Sequence, residues 1–355
     1  MNPSRQIRLG NALVGGGAPI LVQSMTNTDT RDAEATCAQI QELANAGCEA
    51  CRIAIPDLEA ARAAYTITQN SPIPVMADIH FDWRLAVAAL EAGCVCGRIN
   101  PGNIGPEKNT VRVIDAARAN GACLRIGVNS GSLAKDILKK HGGPTPAAIA
   151  ESALAHARLL ESRNFYDFKI SAKSSSVTDT IASYRAIRNG CDYPLHLGVT
   201  EAGTPMRGAI KSAIGIGILL HEGIGDTLRV SLTADPVQEV KVAWQILQAL
   251  GLRRRGPEII SCPGCGRTEI DLMGLTNAVE QALADCAAPI KVAVMGCVVN
   301  GPGEAAGADI GVAGGRDKGI IFRKGRIVRS VRGHGPLLAA FLSELDNLIQ
   351  AKRQP

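Results

Sequence analysis

Residues 50–100 read ACRIAIPDLEAARAAYTITQNSPIPVMADIHFDWRLAVAALEAGCVCGRIN, and their rhythm decides the fold. Three short apolar runs, ACRIAI (50–55), PVMADI (74–79) and VCGRIN (95–100), are separated by stretches patterned as helices. Short apolar runs alternating with helices predict parallel strands joined by helical crossovers. The same rhythm extends outward. ILVQSM (20–25) precedes the stretch; CLRIGV (123–128), YDFKIS (166–171), LHLGVT (195–200) and TLRVSL (227–232) follow it. Between them lie helical segments such as DAEATCAQIQELANAG and TPAAIAESALAHARLLESR. Eight strand-then-helix units over about 250 residues are the arithmetic of an α/β fold of the (β/α)8 TIM-barrel type. A doubly wound sheet would carry a glycine-rich phosphate turn after its first strand, and SMTNTDT is no such turn. The repeat is architectural, without sequence identity between units.

The chain has 355 residues, 46% of them hydrophobic and 20% charged, with a formal net charge of +5. That composition is globular, with room for one large domain and one small one. Few aromatics and no basic tail make nucleic acid a poor expectation. A mildly basic surface fits a small anion or an acidic protein partner. No apolar run approaches the roughly 20 residues needed to span a bilayer. MNPSRQIRLG lacks the apolar core of a signal peptide, so the expected location is cytoplasmic, with no membrane partner. Eleven cysteines then read as buried small residues or ligands rather than disulfides. Cys48, Cys51, Cys94 and Cys96 fall at helix-to-strand junctions, where burial in place of Ala or Val is expected.

A barrel domain is assigned to residues 1–252. After it comes a connector, Leu252–Pro257, with Arg253, Arg254 and Arg255, which reads as a solvated boundary or, less simply, a docking site for an acidic redox partner. Residues 258–355 read as a smaller α/β domain. EIIS and IKVAVMG are its strands and TEIDLMGLTNAVEQALADC a helix, followed by two further short strands and a closing helix from Gly335.

This second domain holds three cysteines at strand exits: Cys262 and Cys265 in SCPGCG, and Cys297 in MGCVVNGPGEA. Structural zinc normally closes with four Cys or His ligands. No cysteine follows Cys297; the only later histidine is His334, and the nearest oxygen ligand is Glu304. Three thiolates with a weak or exchangeable fourth ligand suit a [4Fe–4S] cluster with one iron open to substrate.

Barrel strands should be almost wholly apolar, yet five of the eight runs carry a cation: Arg52, Arg98, Arg125, Lys169 and Arg229. Buried unpaired cations are costly. Asp78 and Glu201 are too few to balance them, so the remainder implies a multiply charged ligand, most simply a phosphate or diphosphate. Asn100, Asn129, Ser171, Thr200 and Ser231 lie at the C-terminal strand ends, where barrel active sites form. Glu201 reads equally as charge balance or as a general acid, and His80 and His196 as hydrogen-bonding residues.

The stretches GGGAPILVQSMTNTDT, ADIHFDWRLA, GRINPGNIG, LRIGVNSGSL, LHLGVTEAG, GIGDTLRVSLTADPVQEVKVAWQIL and GCVVNGPGEA resemble the 4-hydroxy-3-methylbut-2-enyl diphosphate synthases, the IspG/GcpE family of the methylerythritol phosphate route to isoprenoids. The resemblance covers nearly the whole chain in order. Cysteines stand at Cys51 and Cys96, where the family usually has aliphatic residues. The resemblance implies reductive ring opening of a cyclic diphosphate, with two electrons delivered through a [4Fe–4S] cluster. It implies Cys262, Cys265, Cys297 and Glu304 as cluster ligands. Arg52, Arg98, Asn100, Arg125, Asn129, Lys169, Thr200, Arg229 and Ser231 would hold the substrate, with Asp78 nearby and Asn300 on the cluster side. Glu201 would be the candidate proton donor. Flavodoxin or ferredoxin would supply electrons, and a homodimer would close each barrel mouth with the partner's cluster domain. Two other readings are a zinc-structured barrel transferase acting on a phosphorylated or pterin-like substrate, and a non-enzymatic electron carrier. The missing fourth thiolate weighs against the first, and the barrel cations have no purpose in the second.

Overall fold

The computed structural model of the chain describes residues 3–284, 286–297, 303 and 305–353. The chain divides into two compact units, Met1–Arg253 and Arg254–Pro355.

In the first unit eight parallel strands form a single sheet: β3 (Leu21–Met25), β4 (Ala50–Ala54), β5 (Val75–Asp78), β6 (Cys96–Ile99), β7 (Cys123–Asn129), β8 (Phe168–Lys173), β9 (His196–Leu197) and β10 (Thr227–Leu228). Their order is β8-β7-β6-β5-β4-β3-β10-β9, and a parallel bridge from Ile170 to Leu195 joins the two ends, closing the barrel. All eight expected strands are present. The last two are only two residues long, because Gly198 and the polar mouth residues interrupt their ladders.

The helices between them are α1 (Ala33–Ala46), α2 (Leu58–Asn70), α3 (Trp83–Glu91), α4 (Glu107–Ala119), α5 (Lys135–His141), α6 (Pro146–Glu161), α7 (Val177–Gly190), α8 (Pro205–His221) and α9 (Pro236–Ala249). Several start on capping side chains. Asp32, Asp57, Asp82, Thr145, Ser176 and Asp235 each accept a backbone N–H from the first turn. A cap satisfies a donor that helix geometry leaves orphaned, fixing where each strand's exit loop ends. Helix and strand faces then bury one continuous core, including Ile40, Ile53, Leu90, Ile126 and Leu247. Cys48, Cys51, Cys94 and Cys96 are all buried. Burial pushes the Cys48 and Cys94 thiols up to about 12, so neither is a reactive thiolate near neutral pH.

An antiparallel hairpin, β1 (Ile7–Leu9) with β2 (Ala12–Val14), was not legible in the sequence. Ile7, Leu9 and Val14 pack against Leu21, Ala50, Met76, Cys96 and Cys123. All five are the first or second residues of their strands, so the hairpin seals the N-terminal floor of the barrel. The opposite, C-terminal end remains as the mouth. Arg253 in the connector is bound back to this unit. It pairs with Glu49 at 2.7 and 2.8 Å, donates to the Ile20 carbonyl and lies 4.7 Å above the Trp244 ring. The solvated boundary expected of Arg253 is therefore corrected: it is a structural anchor.

The second unit is a five-stranded sheet in sequence order: β11 (Glu258–Ser261), β12 (Lys291–Met295), β13 (Ile310–Gly314), β14 (Lys318–Arg323) and β15 (Arg326–Arg332). The first three strands are parallel; β14 and β15 add antiparallel. Helices α10 (Leu272–Ala282) and α11 (His334–Arg353) complete the layer. Three strands follow β12, not the two expected. The extra one, RIVRSVR, is an exposed edge strand whose arginines, at every third position, disguise it.

Candidate functional site

Side chains on a parallel barrel strand alternate between interior and helix layer, and ladder partners share a face. The register puts Met25, Arg52, Met76, Cys96 and Cys123 on one row. Asp78, Arg98, Arg125 and Lys169 make the next. Charged residues thus accumulate inside the barrel because they recur at every second position of adjacent strands.

Asp78 is the hub. Arg98 donates to its Oδ1 at 3.2 Å, Arg52 approaches Oδ2 at 3.5 Å and His80 approaches the same oxygen at 3.8 Å. Burial works to raise the Asp78 pKa, but Arg52, Arg98 and Arg125 overcome it and hold the carboxyl well below the usual range. Arg229 makes a forked pair with Glu239, at 3.1 and 3.2 Å; Glu239 also accepts from the Leu232 N–H and the Ser24 hydroxyl. Burial lowers Arg52 to about 10 and carries Arg125 down with it, the neighbouring cations adding to the effect.

Two residues here escaped the sequence reading. Lys173 is buried, and the charges acting on it are Arg125, Arg52, Arg229 and Arg98, so desolvation first and those cations second hold its pKa well below the lysine value. Continuing the alternation Lys169–Ser171 by one step would have found it. Glu239, buried on α9 behind Arg229, had no signal beyond an acid near a capped helix start.

Lys169 lies deeper than its place within the apolar run suggests. It is the second residue of β8, whereas Asp78 is the last of β5, because a row running around tilted strands climbs along the barrel. Lys169 is fully buried low in the barrel, with Nζ 3.9 Å from Met76 Sδ and the Cys96 and Cys123 thiols close by. It does not stand at one level with the other cations.

Among the described residues, six cations (Arg52, Arg98, Arg125, Lys169, Lys173 and Arg229) face two buried carboxylates, Asp78 and Glu239. The Nε atoms of Arg98 and Arg125 are buried without a partner. Space for these side chains comes from glycine. A Cβ on Gly127 would lie 2.5 Å from Arg98 Nε, and one on Gly198 would lie 2.6 Å from Lys173 Nζ. Such a cup holds strong unmet demand for an anion.

Around the mouth, buried Asn100 donates to Ser132 Oγ at 3.1 Å, and the same hydroxyl accepts the Asn129 backbone N–H and donates to its carbonyl, so one serine ties the Asn100 side chain to the Asn129 backbone. Thr200 and Ser231 are half-buried at their strand ends. His196 is buried and hydrogen-bonded to Thr227 at 2.9 Å; burial, then Arg125, keeps its ring neutral. Glu201 is exposed, with a left-handed backbone at φ +50°. That conformation strains a non-glycine residue and recurs at functional loops. Among the described residues Glu201 makes no ion pair, so the structure does not bring it into contact with the barrel cations.

In the second unit, β11 and β12 are adjacent and parallel, with Ser261 opposite Val294. Cys262 therefore leaves its strand beside Met295, and Cys297 follows two residues later, bringing distant cysteines to one sheet end. Gly264, at φ +78°, provides the turn that carries Cys265 back. Cys262 Sγ accepts the Gly296 N–H at 3.2 Å, and Thr268 Oγ1 accepts the Cys265 N–H at 3.0 Å. Cys265 is exposed and the other two are half-buried. Among the described residues no three Cys, His, Asp or Glu side chains converge on a point where one metal ion would sit. Thiolates of a four-iron cluster bind different irons and stand farther apart than ligands of one ion. A backbone N–H to a ligating sulfur and an exposed glycine-rich turn fit such a cluster.

Residues 4–244 match the GcpE TIM-barrel domain, and residues 258–347 match the GcpE protein C-terminal domain. The chain belongs to the GcpE family. A GcpE relative from Lawsonia intracellularis, the 4-hydroxy-3-methylbut-2-en-1-yl diphosphate synthase (flavodoxin), is 62% identical over 346 residues, 98% of this chain and 96% of that one. The enzyme of the same name from Nitratidesulfovibrio vulgaris is 60% identical over 350 residues, covering 99% and 91%. Among solved structures, the dihydropteroate synthase of Yersinia pestis in a sulfonamide drug complex matches 70% of this chain and 100% of its own, with a TM-score of 0.50 at 10% identity. That likeness is of the barrel fold alone. Two GcpE-type expectations, Asn300 and Glu304, lie outside the described residues.

Proposed function

We propose that this GcpE protein catalyses the reductive ring opening of 2-C-methyl-D-erythritol 2,4-cyclodiphosphate to (E)-4-hydroxy-3-methylbut-2-enyl diphosphate in isoprenoid biosynthesis. The observation that carries the reading is the barrel interior, where six cations face two carboxylates. A cyclic diphosphate supplies two permanent negative charges to that cup. Arg52, Arg98, Arg125, Lys173 and Arg229 bind the phosphates, the guanidiniums through forked donors. Lys169, lower down, adds field without contact. Asn100, Asn129, Thr200 and Ser231 orient the ring hydroxyls and phosphate oxygens. Asp78 and Glu239 hold the arginines in place, and Glu201, on its strained loop, delivers a proton to the departing hydroxyl so that it leaves as water.

Cys262, Cys265 and Cys297, with Glu304, are the ligands proposed for a [4Fe–4S] cluster. When bound, such a cluster supplies single electrons and an open iron as a Lewis acid. Flavodoxin, which the relatives' enzyme names carry, is the proposed electron donor, with ferredoxin the alternative. No helix among the described residues is long and apolar enough to cross a membrane. The proposed location is the cytoplasm.

A homodimer completes the reading, with each barrel mouth closed by the partner's cluster domain. It is supported by an uncovered apolar stripe on α8. Met206, Ile210, Ile214 and Ile218, spaced four apart, are 74, 49, 48 and 39% exposed. No acidic residue occurs on that helix, so two copies can pair antiparallel about Ile214 without burying a carboxylate.

The test is the metal content and activity of anaerobically purified protein. About four iron and four sulfide per chain, with conversion of the cyclic diphosphate under reduced flavodoxin, is the expected result. Stoichiometric zinc, with no iron even after anaerobic reconstitution, would overturn it.

A further inference from the structure

Met25 ends β3, the strand lying between those that carry Arg52 and Arg229. Its thioether accepts from Arg52 twice, from Nε at 3.2 Å and Nη2 at 3.0 Å. Arg229 Nη1 lies 3.7 Å from the same sulfur. One sulfur atom therefore bridges two guanidiniums on opposite flanking strands. Carboxylates serve these arginines as well: Asp78 Oδ2 stands 3.5 Å from Arg52 Nε, the atom that also approaches the sulfur, and Glu239 takes the fork of Arg229 through its other two nitrogens.

We propose that Met25 is a positioning residue for diphosphate binding, its uncharged sulfur holding Arg52 and Arg229 in place while leaving their positive charge for the substrate. The inference rests on the diphosphate reading of the barrel. A buried guanidinium needs an acceptor on each N–H face, and a third carboxylate would supply one by cancelling the field that draws the anion. A polarizable thioether accepts weakly and cancels nothing. It also sets distance. Without it, Arg52 is free to close onto Asp78 as a forked pair, and that guanidinium is withdrawn from the cup. Lower down, Lys169 Nζ likewise lies 3.9 Å from a thioether, Met76 Sδ.

The test compares Met25→Leu, which keeps the apolar bulk and removes the acceptor, with Met25→Gln, which has similar length and restores an acceptor as a neutral carbonyl. The probe is inorganic pyrophosphate, with affinity measured by calorimetry on the full chain, alongside KM and kcat of the cluster-loaded enzyme for the cyclic diphosphate. Met25→Leu is expected to weaken pyrophosphate binding and raise KM about tenfold, with kcat and the thermal midpoint close to those of the unaltered protein. Met25→Gln is expected to recover most of the loss. Equal binding by the unaltered protein and Met25→Leu would overturn the assignment, as would a Gln variant as weak as the Leu one, since packing alone would then explain both. If the unaltered protein does not bind pyrophosphate, the diphosphate reading itself falls, and the role of Met25 with it.

Discussion

Burial and charge oppose each other at the residues of the barrel cup, and that opposition can be measured. Arg125 is 3% exposed, its Nε has no partner, and burial and neighbouring cations both disfavour its charge. Replacing a buried, poorly paired ion by an apolar side chain of similar volume is often neutral or stabilising, by about 1–4 kcal/mol. Arg125→Met should therefore keep or raise the thermal midpoint of the free protein while raising KM for the cyclic diphosphate at least about a hundredfold. A variant that melts early would show Arg125 to be structural. Lys173 gives a proton-linked counterpart. Its folded-state pKa is lowered, so the folded protein binds fewer protons than the unfolded chain between that lowered value and the ordinary lysine range. Stability of the free protein should rise with pH across this window. A bound dianion favours the charged amine, so at a pH within this window binding the cyclic diphosphate, which has no phosphate proton titrating near neutrality, should draw protons from solution. Calorimetry in buffers of different ionisation enthalpy reads this directly, and a heat independent of buffer would refute it.

At the scale of elements, strands create the cup and glycines keep it open. Gly127 sits in β7 with ordinary backbone geometry, and an added Cβ would meet Arg98 Nε at 2.5 Å. On neighbouring β6, a Cβ at Gly97 would meet Leu124 at 3.4 Å and Leu90 at 3.8 Å, ordinary apolar contacts. We expect Gly127→Ala to displace Arg98 and weaken the anion about tenfold, with Gly97→Ala near the unaltered protein. Equal affinities for the two variants would remove the glycine from the argument. Much of this scale was legible beforehand. Arg52, Arg98, Arg125 and Arg229 stand out because a cation inside an apolar run has no other easy explanation. Lys173 was missed because the reading stopped at Ser171, where the apolar run ended, although the strand did not. The hairpin that floors the barrel was missed because three-residue strands carry too little periodicity to register. The edge strand β15 was missed because exposure on both faces erases the alternation that identifies strands.

For the molecule as a whole, the stripe on α8 is the feature a lone barrel leaves unexplained, since the exposed faces of barrel helices are ordinarily polar. Ile214 lies at its centre, 48% exposed, so Ile214→Glu should leave the barrel folded but set two carboxylates against each other across a twofold axis. On the proposed dimer, sedimentation velocity should then show monomers, and turnover should fall as the proposed shared mouth is lost. An unchanged sedimentation coefficient would move the dimer contact elsewhere.

By itself the sequence determined the architecture and the kinds of chemistry. Strand-helix alternation is local, so eight units could be counted without coordinates, and an arginine within an apolar run or a C-x-x-C turn announces itself within a few residues. Tertiary structure alone decided depth and partnership. Around a barrel of tilted strands, residues at the same place in their runs lie at different heights, which put Lys169 near the floor and Lys173 among the arginines. Arg253 against Glu49 and one methionine between two guanidiniums are contacts across long sequence separations. Such contacts follow from register and crossover, which no local pattern encodes.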